Sequence, residues 1–382
     1  MKIIIAGDFV PQNRVLHYIE KEEYDKVFGQ VKTLLAQVDY SIVNLECPLV
    51  RSNNVEPALK SGPNLKCLSS HMIDAIKWAN FDAVTFANNH FRDYGDDGVS
   101  ATIDACAECG LSTVGGGNNI DEASRILYVT SHNEKLAIIN ACEEEFSVAT
   151  DKWGGSNPLN PIHLFYDIRE ARKNANFCIV IVHGGVEMYQ LPTPQMQERY
   201  RFLIDAGACA VVNHHQHCFS GYEVYNSNPI FYGLGNFCFD RQESSLLWQR
   251  GYMVELNLKS DGVEFNLLPY KQGTKEYPGV DFCQGQELIA CKEEISKLNQ
   301  IISNSESLAK AYRSLLENIR ERRLWDLEPF YNRYLRFLQR HHLLPRMIKG
   351  LALTDYYDRM SCYAHRETLC DILKDEIYGK TR

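Results

Sequence analysis

Three histidines, His214, His215 and His217, follow the apolar run "ACAVV" at residues 208–212. They are either ligands for an ion or polar punctuation at the end of a strand. The His-x-His spacing favours ligands, because alternate residues of an extended segment point the same way, with Cα atoms about 6–7 Å apart. Two such imidazoles can share a metal or bracket two. Other polar residues fall at comparable places. Asp8 ends "KIIIAGD", Asn44 and Glu46 end "YSIVNLE", Asn88, Asn89 and His90 end "DAVTFANNH", and His183 ends "IVIVHGG". Each has an ordinary reading alone: a turn aspartate, turn-forming asparagines, a hydrogen-bonded loop histidine. In α/β sheets, however, ligands bind just beyond the carboxyl ends of strands, and these polar strand ends can converge on one spot.

A carboxylate, an amide oxygen and imidazoles suit a divalent Mn, Fe, Zn or Co, as one ion or two. No cysteine is placed for a soft site, and there are too many imidazoles for a calcium cage. Such a site would activate a water and polarise a phosphoryl or carbonyl oxygen.

The elements that must position these residues alternate between strand and helix. Short β-rich runs are separated by amphipathic stretches such as "SSHMIDAIKWAN", "GVSATIDACAECG" and "QERYRFLIDAG", which predicts α/β with buried strands. From about residue 127 three hairpins join: one turning at His132 to Glu134, one near Asn226 to Asn228, one at Asp261-Gly262. A second sheet packed on the first, a four-layer α/β/β/α sandwich, fits. Helical periodicity dominates later, so we expect a domain over 1–275 and a helical module over 284–382. Within that module residues 313–349 are rich in Arg and aromatics, which reads as a packed solvated face or as a docking surface for an anionic polymer, an acidic protein or a membrane surface.

The chain has 382 residues and a net charge of -9, which argues against bulk nucleic-acid binding. Thirteen scattered cysteines, a start without signal-peptide character and no long apolar run predict a cytoplasmic protein without a membrane span. The lone Cys106/Cys109 pair reads as small residues on a helix. Gly115 to Gly117 reads as a turn that lets backbone approach the site, and Glu143 to Glu145 as a solvated loop or an acidic edge to the pocket.

The motifs in order, GD, NLE, ANNHFRDYG, HGG, HHQH and IFYGLGNFCFD, resemble the CapA/PgsA type of capsule and poly-γ-glutamate biosynthesis proteins over roughly residues 1–245. That family is similar in fold to calcineurin-like metallophosphoesterases. Carried over by position, the resemblance implies metal ligands at Asp8, Glu46 (a bridging carboxylate), Asn89, His183, His215 and His217. It implies that His90 stabilises or protonates a leaving group, with Asp93 orienting it, and that Glu46 serves the catalytic centre as well as the metal. Asn44, Asn88, His214 and Asn236 are then expected to face substrate, with "GLGNFCFD" closing over the site. The pattern departs at Val10, where the phosphoesterases carry a histidine, so one metal position has fewer ligands. Gln216 and Asn213 stand where the capsule family often has Pro and Gly.

The implied function is a metal-dependent hydrolase acting on an amide or phosphoester of an anionic polymer or peptide through a metal-activated water. Two alternatives use the same pocket. One is a non-catalytic accessory protein binding a polyanionic polymer, with the tail docking a synthase. The other is a metal-independent enzyme with His90, Glu46 and His183 as acid and base.

Overall fold

The computed structural model describes residues 1–241, 244–330 and 332–378. The chain forms two compact units, Met1–Ala309 and Lys310–Arg382.

The first unit opens with β1 (Lys2–Val10), α1 (Asn13–Glu20), α2 (Asp25–Leu35), β2 (Tyr40–Leu45), α3 (His71–Trp78), β3 (Ala83–Thr85), α4 (Gly95–Glu108) and β4 (Ser112–Val114). β1 to β4 are parallel neighbours, and the amphipathic helices between them supply the crossovers such a sheet requires. The triplet Ile3, Ile4 and Ile5 is wholly buried. Ile4 lies in the cluster shared with Val15, Val27, Phe28 and Ile76 of the helices. Period-two alternation turns its neighbours to the opposite face. Each such side chain contributes about 1.5–3 kcal/mol of burial.

A two-residue ladder joins β5 (Gly116–Gly117) to β8 (Gly155–Ser156). Between them in sequence lie α5 (Ile120–Ala123), β6 (Leu127–Ser131) and β7 (Glu134–Cys142). α6 (Pro161–Asn174), β9 (Phe177–His183), α7 (Pro194–Ala206), β10 (Ala210–His214), β11 (Tyr222–Tyr225) and β12 (Asn228–Phe231) follow. The second sheet has the order β11-β12-β10-β9-β7-β6. Its core strands β7, β9, β10 and β12 are parallel, and α6 and α7 cover it.

The chain then returns to the first sheet with β13 (Asn236–Phe239), α8 (Leu246–Gln249), β14 (Arg250–Lys259), β15 (Gly262–Lys271) and β16 (Asp281–Phe282). The two sheets face each other through rings, including Phe231 and Tyr222 against Phe265, with centroids 5.1 and 5.0 Å apart. With helices outside both sheets, the unit is the α/β/β/α sandwich expected from the sequence. The three hairpins form as well. His132 and Asn133 (φ 50° and 65°) and Asn226 and Ser227 (φ 47° and 64°) take the left-handed conformation that two-residue hairpin turns demand.

The helix α9 (Gly285–Ile302), which periodicity grouped with the tail, lies in the first unit. It packs on β11 and buries Cys291, Ile295, Leu298 and Ile302. α10 (Ser305–Asp326) buries Leu308. The second unit holds α11 (Arg333–Arg340), α12 (Leu351–Ser361) and α13 (Tyr363–Tyr378). Among the described residues no helix is long and apolar enough to cross a membrane.

A candidate metal centre where two sheets meet

The carboxyl ends of both parallel strand sets arrive at one place. Asp8 lies near the end of β1, Glu46 just past β2, His183 ends β9 and His214 ends β10, in register with one another. Across the gap His183 Nδ1 lies 3.8 Å from Asp8 Oδ1, and its Nε2 lies 3.5 Å from Glu46 Oε1. His217 lies 3.7 Å from both carboxylates, through Nδ1 to Asp8 and Nε2 to Glu46. His215 Nδ1 stands 3.1 Å from His183 Nε2, and His214 Nδ1 stands 4.0 Å from Asp8 Oδ1.

Three overlapping groups result: Asp8, His183 and His214; Glu46, His183 and His215; and Asp8, Glu46 and His217. Asn89 joins them through Oδ1, 3.1 Å from His183 Nε2. His215 and His217 converge in a way the extended-segment argument did not foresee. β10 stops at His214, and both residues sit at positive φ, 92° and 54°. A strained turn brings their rings to 6.1 Å. Left-handed conformations in such residues cost about 1–3 kcal/mol each and persist where the surroundings over-determine them.

Burial sets the electrostatics. Asp8 is pushed up to about 8, first by desolvation and then by Glu46. Glu46 is raised by desolvation as well. Loss of solvent drives His183 and His215 well below the ordinary imidazole range and takes His214 down to about 3. Neutral imidazoles with available lone pairs therefore face carboxyl groups that lack water. Both Glu46 oxygens and both His214 ring nitrogens are buried without a hydrogen-bond partner among the described residues. A polar group orphaned in this way costs free energy unless something compensates it. Oxygen and imidazole donors with no thiolate are the set that Mn, Fe, Zn and Co accept, so the residues present fit a divalent ion.

The remaining predicted residues form the surround. Asn44 Nδ2 donates to Asp8 Oδ1 at 2.7 Å, and its Oδ1 accepts from Thr85 and from Asn88. Asn88 also donates to Leu45 O and accepts from His90 N, so both side chains are committed inside the protein. Asn236 Oδ1 meets His217 Nδ1 at 2.9 Å while its amide donates to His217 O and Trp248 O. The centre of "GLGNFCFD", Asn236–Phe239, is a strand rather than a covering loop. β13 pairs in parallel with β1 and sets Asn236 opposite Asp8. A Cβ on Gly7 would lie 1.9 Å from Gly235 O, which explains the glycines at that crossing.

Gly115, at φ 86°, makes room for Asn140, whose Oδ1 a Cβ would meet at 1.9 Å. It serves the contact between sheets rather than the site. His90 Nδ1 lies 2.6 Å from Asp93 Oδ2. The sequence reasoning missed two neighbours. The Trp248 ring packs on His217 at 4.9 Å, and the Lys60 ammonium pairs with Asp93 beside His90. Neither belongs to a motif with recognisable spacing.

Residues 2–241 match the model of the bacterial capsule synthesis protein family, PGA_cap. The chain belongs to that family. It is 30% identical over 277 residues to the PGA biosynthesis protein CapA of Bacillus subtilis (strain 168), covering 70% of this chain and 71% of that protein. To the capsule biosynthesis protein CapA of Bacillus anthracis it is 29% identical over 272 residues, covering 69% of this chain but only 65% of that protein. Among solved structures it is similar to a hypothetical protein from Thermus thermophilus, at 14% identity and TM-score 0.46, over 71% of this chain and 99% of that one. The capsule-family match ends at residue 241. It thus takes in β1 to β13 and every residue of the candidate centre, and leaves β14 to β16 and the later helices outside.

Proposed function

We propose that this capsule-family protein is a metal-dependent hydrolase that cleaves an amide or phosphoester in an anionic polymer or peptide such as poly-γ-glutamate. The observation that carries the reading is the set of orphaned buried donors, Glu46 Oε1 and Oε2 and the two nitrogens of His214, inside three overlapping ligand groups. Asp8, Glu46, Asn89, His183, His215 and His217 would hold the metal, with His214 in reach of Asp8. A divalent ion, when bound, supplies Lewis acidity toward a phosphoryl or carbonyl oxygen and lowers the pKa of a water.

The chain's own residues do the rest. Asn44 fixes the direction of Asp8, and Asn236 fixes the ring of His217; such supporting contacts orient ligands for a metal. His90 handles a proton at Nε2. With its Nδ1–H held by Asp93, Nε2 takes a proton from substrate or solvent and returns it to the departing atom. Trp248 walls the His217 side against water. Thirteen free thiols support action in a reducing cytoplasm.

Metal analysis of the purified protein, before and after reconstitution with Mn or Zn, tests the reading together with turnover of γ-glutamyl peptides and phosphoesters. Bound metal with metal-dependent turnover is expected. An ion that binds without any turnover would favour an accessory role. Failure to bind any ion would refute the metal centre.

A further inference from the structure

Residues 46–70, between β2 and α3, form an irregular strap with no helix. It is pinned at Asp93, which is fully buried. Ala58 N donates to the Asp93 carbonyl at 2.8 Å, Leu65 N donates to Asp93 Oδ2 at 2.5 Å, and Asn64 Nδ2 donates to Ala58 O at 3.2 Å. Between these anchors Lys60 turns inward, its side chain 4% exposed. Its Nζ pairs with Asp93 Oδ1, reaches Asn89 O at 3.4 Å, stands 3.1 Å from His90 Nδ1 and lies 4.7 Å from the Phe146 ring centroid.

The His90 Nδ1 atom therefore sits between a carboxylate oxygen, Asp93 Oδ2 at 2.6 Å, and an ammonium. An ammonium has donors only, and a carboxylate accepts. If Nδ1 carried the lone pair, it would take a Lys60 hydrogen and leave Asp93 Oδ2 facing another acceptor at hydrogen-bond distance. If Nδ1 carries the hydrogen, it donates to Asp93 Oδ2, while Lys60 gives its hydrogens to Asp93 Oδ1 and Asn89 O. Only the second arrangement puts a hydrogen into the 2.6 Å contact between Nδ1 and Asp93 Oδ2; the third Lys60 hydrogen is left with the Phe146 ring, 4.7 Å from Nζ. That arrangement leaves the His90 lone pair on Nε2.

We propose that Lys60 is a positioning residue for His90. Through Asp93 it locks the strap to the imidazole and holds the ring as the Nδ1–H tautomer. The consequence for turnover rests on the proton-handling role of His90 proposed above; the tautomer does not.

Full-length protein labelled with [15N]histidine and treated with chelator tests this by long-range 1H–15N correlation, with His90→Ala assigning the signals. The wild type should show one His90 tautomer with hydrogen on Nδ1. Lys60→Met should lose it, giving averaged nitrogens, while His183 and His215 stay unchanged. Lys60→Arg, which keeps a cation, should restore the wild-type pattern. Were Lys60→Met to disturb His183 and His215 as well, Lys60→Gln replaces it in the same comparison. A neutral variant that retains the single Nδ1–H tautomer, or an arginine variant as averaged as the neutral one, overturns the proposal. In the metal-loaded enzyme Lys60→Met should lower kcat about 10–100-fold with KM little changed. The tautomer readout needs neither metal nor turnover, so failure of the hydrolase reading and failure of this inference are separate results.

Discussion

The raised carboxyl group of Asp8 makes the metal-free protein lose stability as pH rises, and the size of that loss can be worked from the site. Asp8 ordinarily titrates at 3.8 and is pushed up to about 8 in the fold by desolvation and by Glu46. Between those values the folded state holds a proton that the unfolded chain has released. Stability therefore falls with rising pH at about 1.4 kcal/mol per unit, and it levels off above pH 8. The imidazoles act on the other side. His183, His214 and His215 are lowered from 6.5, so their contribution is complete above that pH and is lost as acid protonates the unfolded chain first. Between pH 6.5 and 8 these three histidines add little, and Asp8 should by itself remove about 2 kcal/mol. The raised Glu46 acts in the same direction and the Cys291 thiol, lowered to about 7, in the opposite one, so the Asp8 share is read against a variant that lacks it.

A bound divalent ion takes the proton's place, so saturation should abolish the decline. At 100 times the dissociation constant it should add about 2.7 kcal/mol. Chemical denaturation of chelator-treated protein at half-unit steps from pH 6 to 9 measures the effect, with Asp8→Asn as the reference that cannot titrate. The wild type should lose about 2 kcal/mol relative to Asp8→Asn between pH 6.5 and 8, and saturating zinc should flatten the wild-type profile over that range. Parallel profiles for wild type and Asp8→Asn would refute the electrostatic account of the centre.

Other expectations follow from single contacts. His215→Ala removes a ligand of the Glu46 group and should reduce bound metal and activity while the circular dichroism of the sandwich is unchanged; undiminished metal by mass spectrometry would count against the ligand set. Asn236→Ala frees the His217 ring and should weaken metal binding about 10–100-fold, measured by competition with a chelating dye. Gly7→Ala drives a methyl into Gly235 O and should cost about 3 kcal/mol or more, seen as a lowered denaturation midpoint; a cost below about 0.5 kcal/mol would show that the β1–β13 crossing is looser than described.

How much of this was legible beforehand depends on what each signal encodes. Period-two apolar runs and turn residues are local properties. "KIIIAGD", "NFCIVIVHGG" and the hairpin turns were therefore readable, and the sandwich with them. Polar residues at strand ends were readable as a group because an apolar strand leaves them few other uses. That singled out Asp8, Glu46, His183, His215 and His217 as candidates, and the fold brings them together.

The packed fold supplied the rest. That His215 and His217 meet through a left-handed turn, that "NFCF" is a strand beside β1, and that Asn44, Asn88 and Asn236 spend their amides inside the protein all depend on which backbone lies across the gap. Lys60 carries no local signal, since a lysine in an irregular strap looks like any solvated lysine. Only closure of that strap on Asp93 buries its ammonium beside His90. Residue order alone established which chemical groups are present and which strands carry them. Their energies, from the orphaned oxygens of Glu46 to the raised carboxyl of Asp8, came from desolvation, which exists only once two sheets exclude water from the space between them.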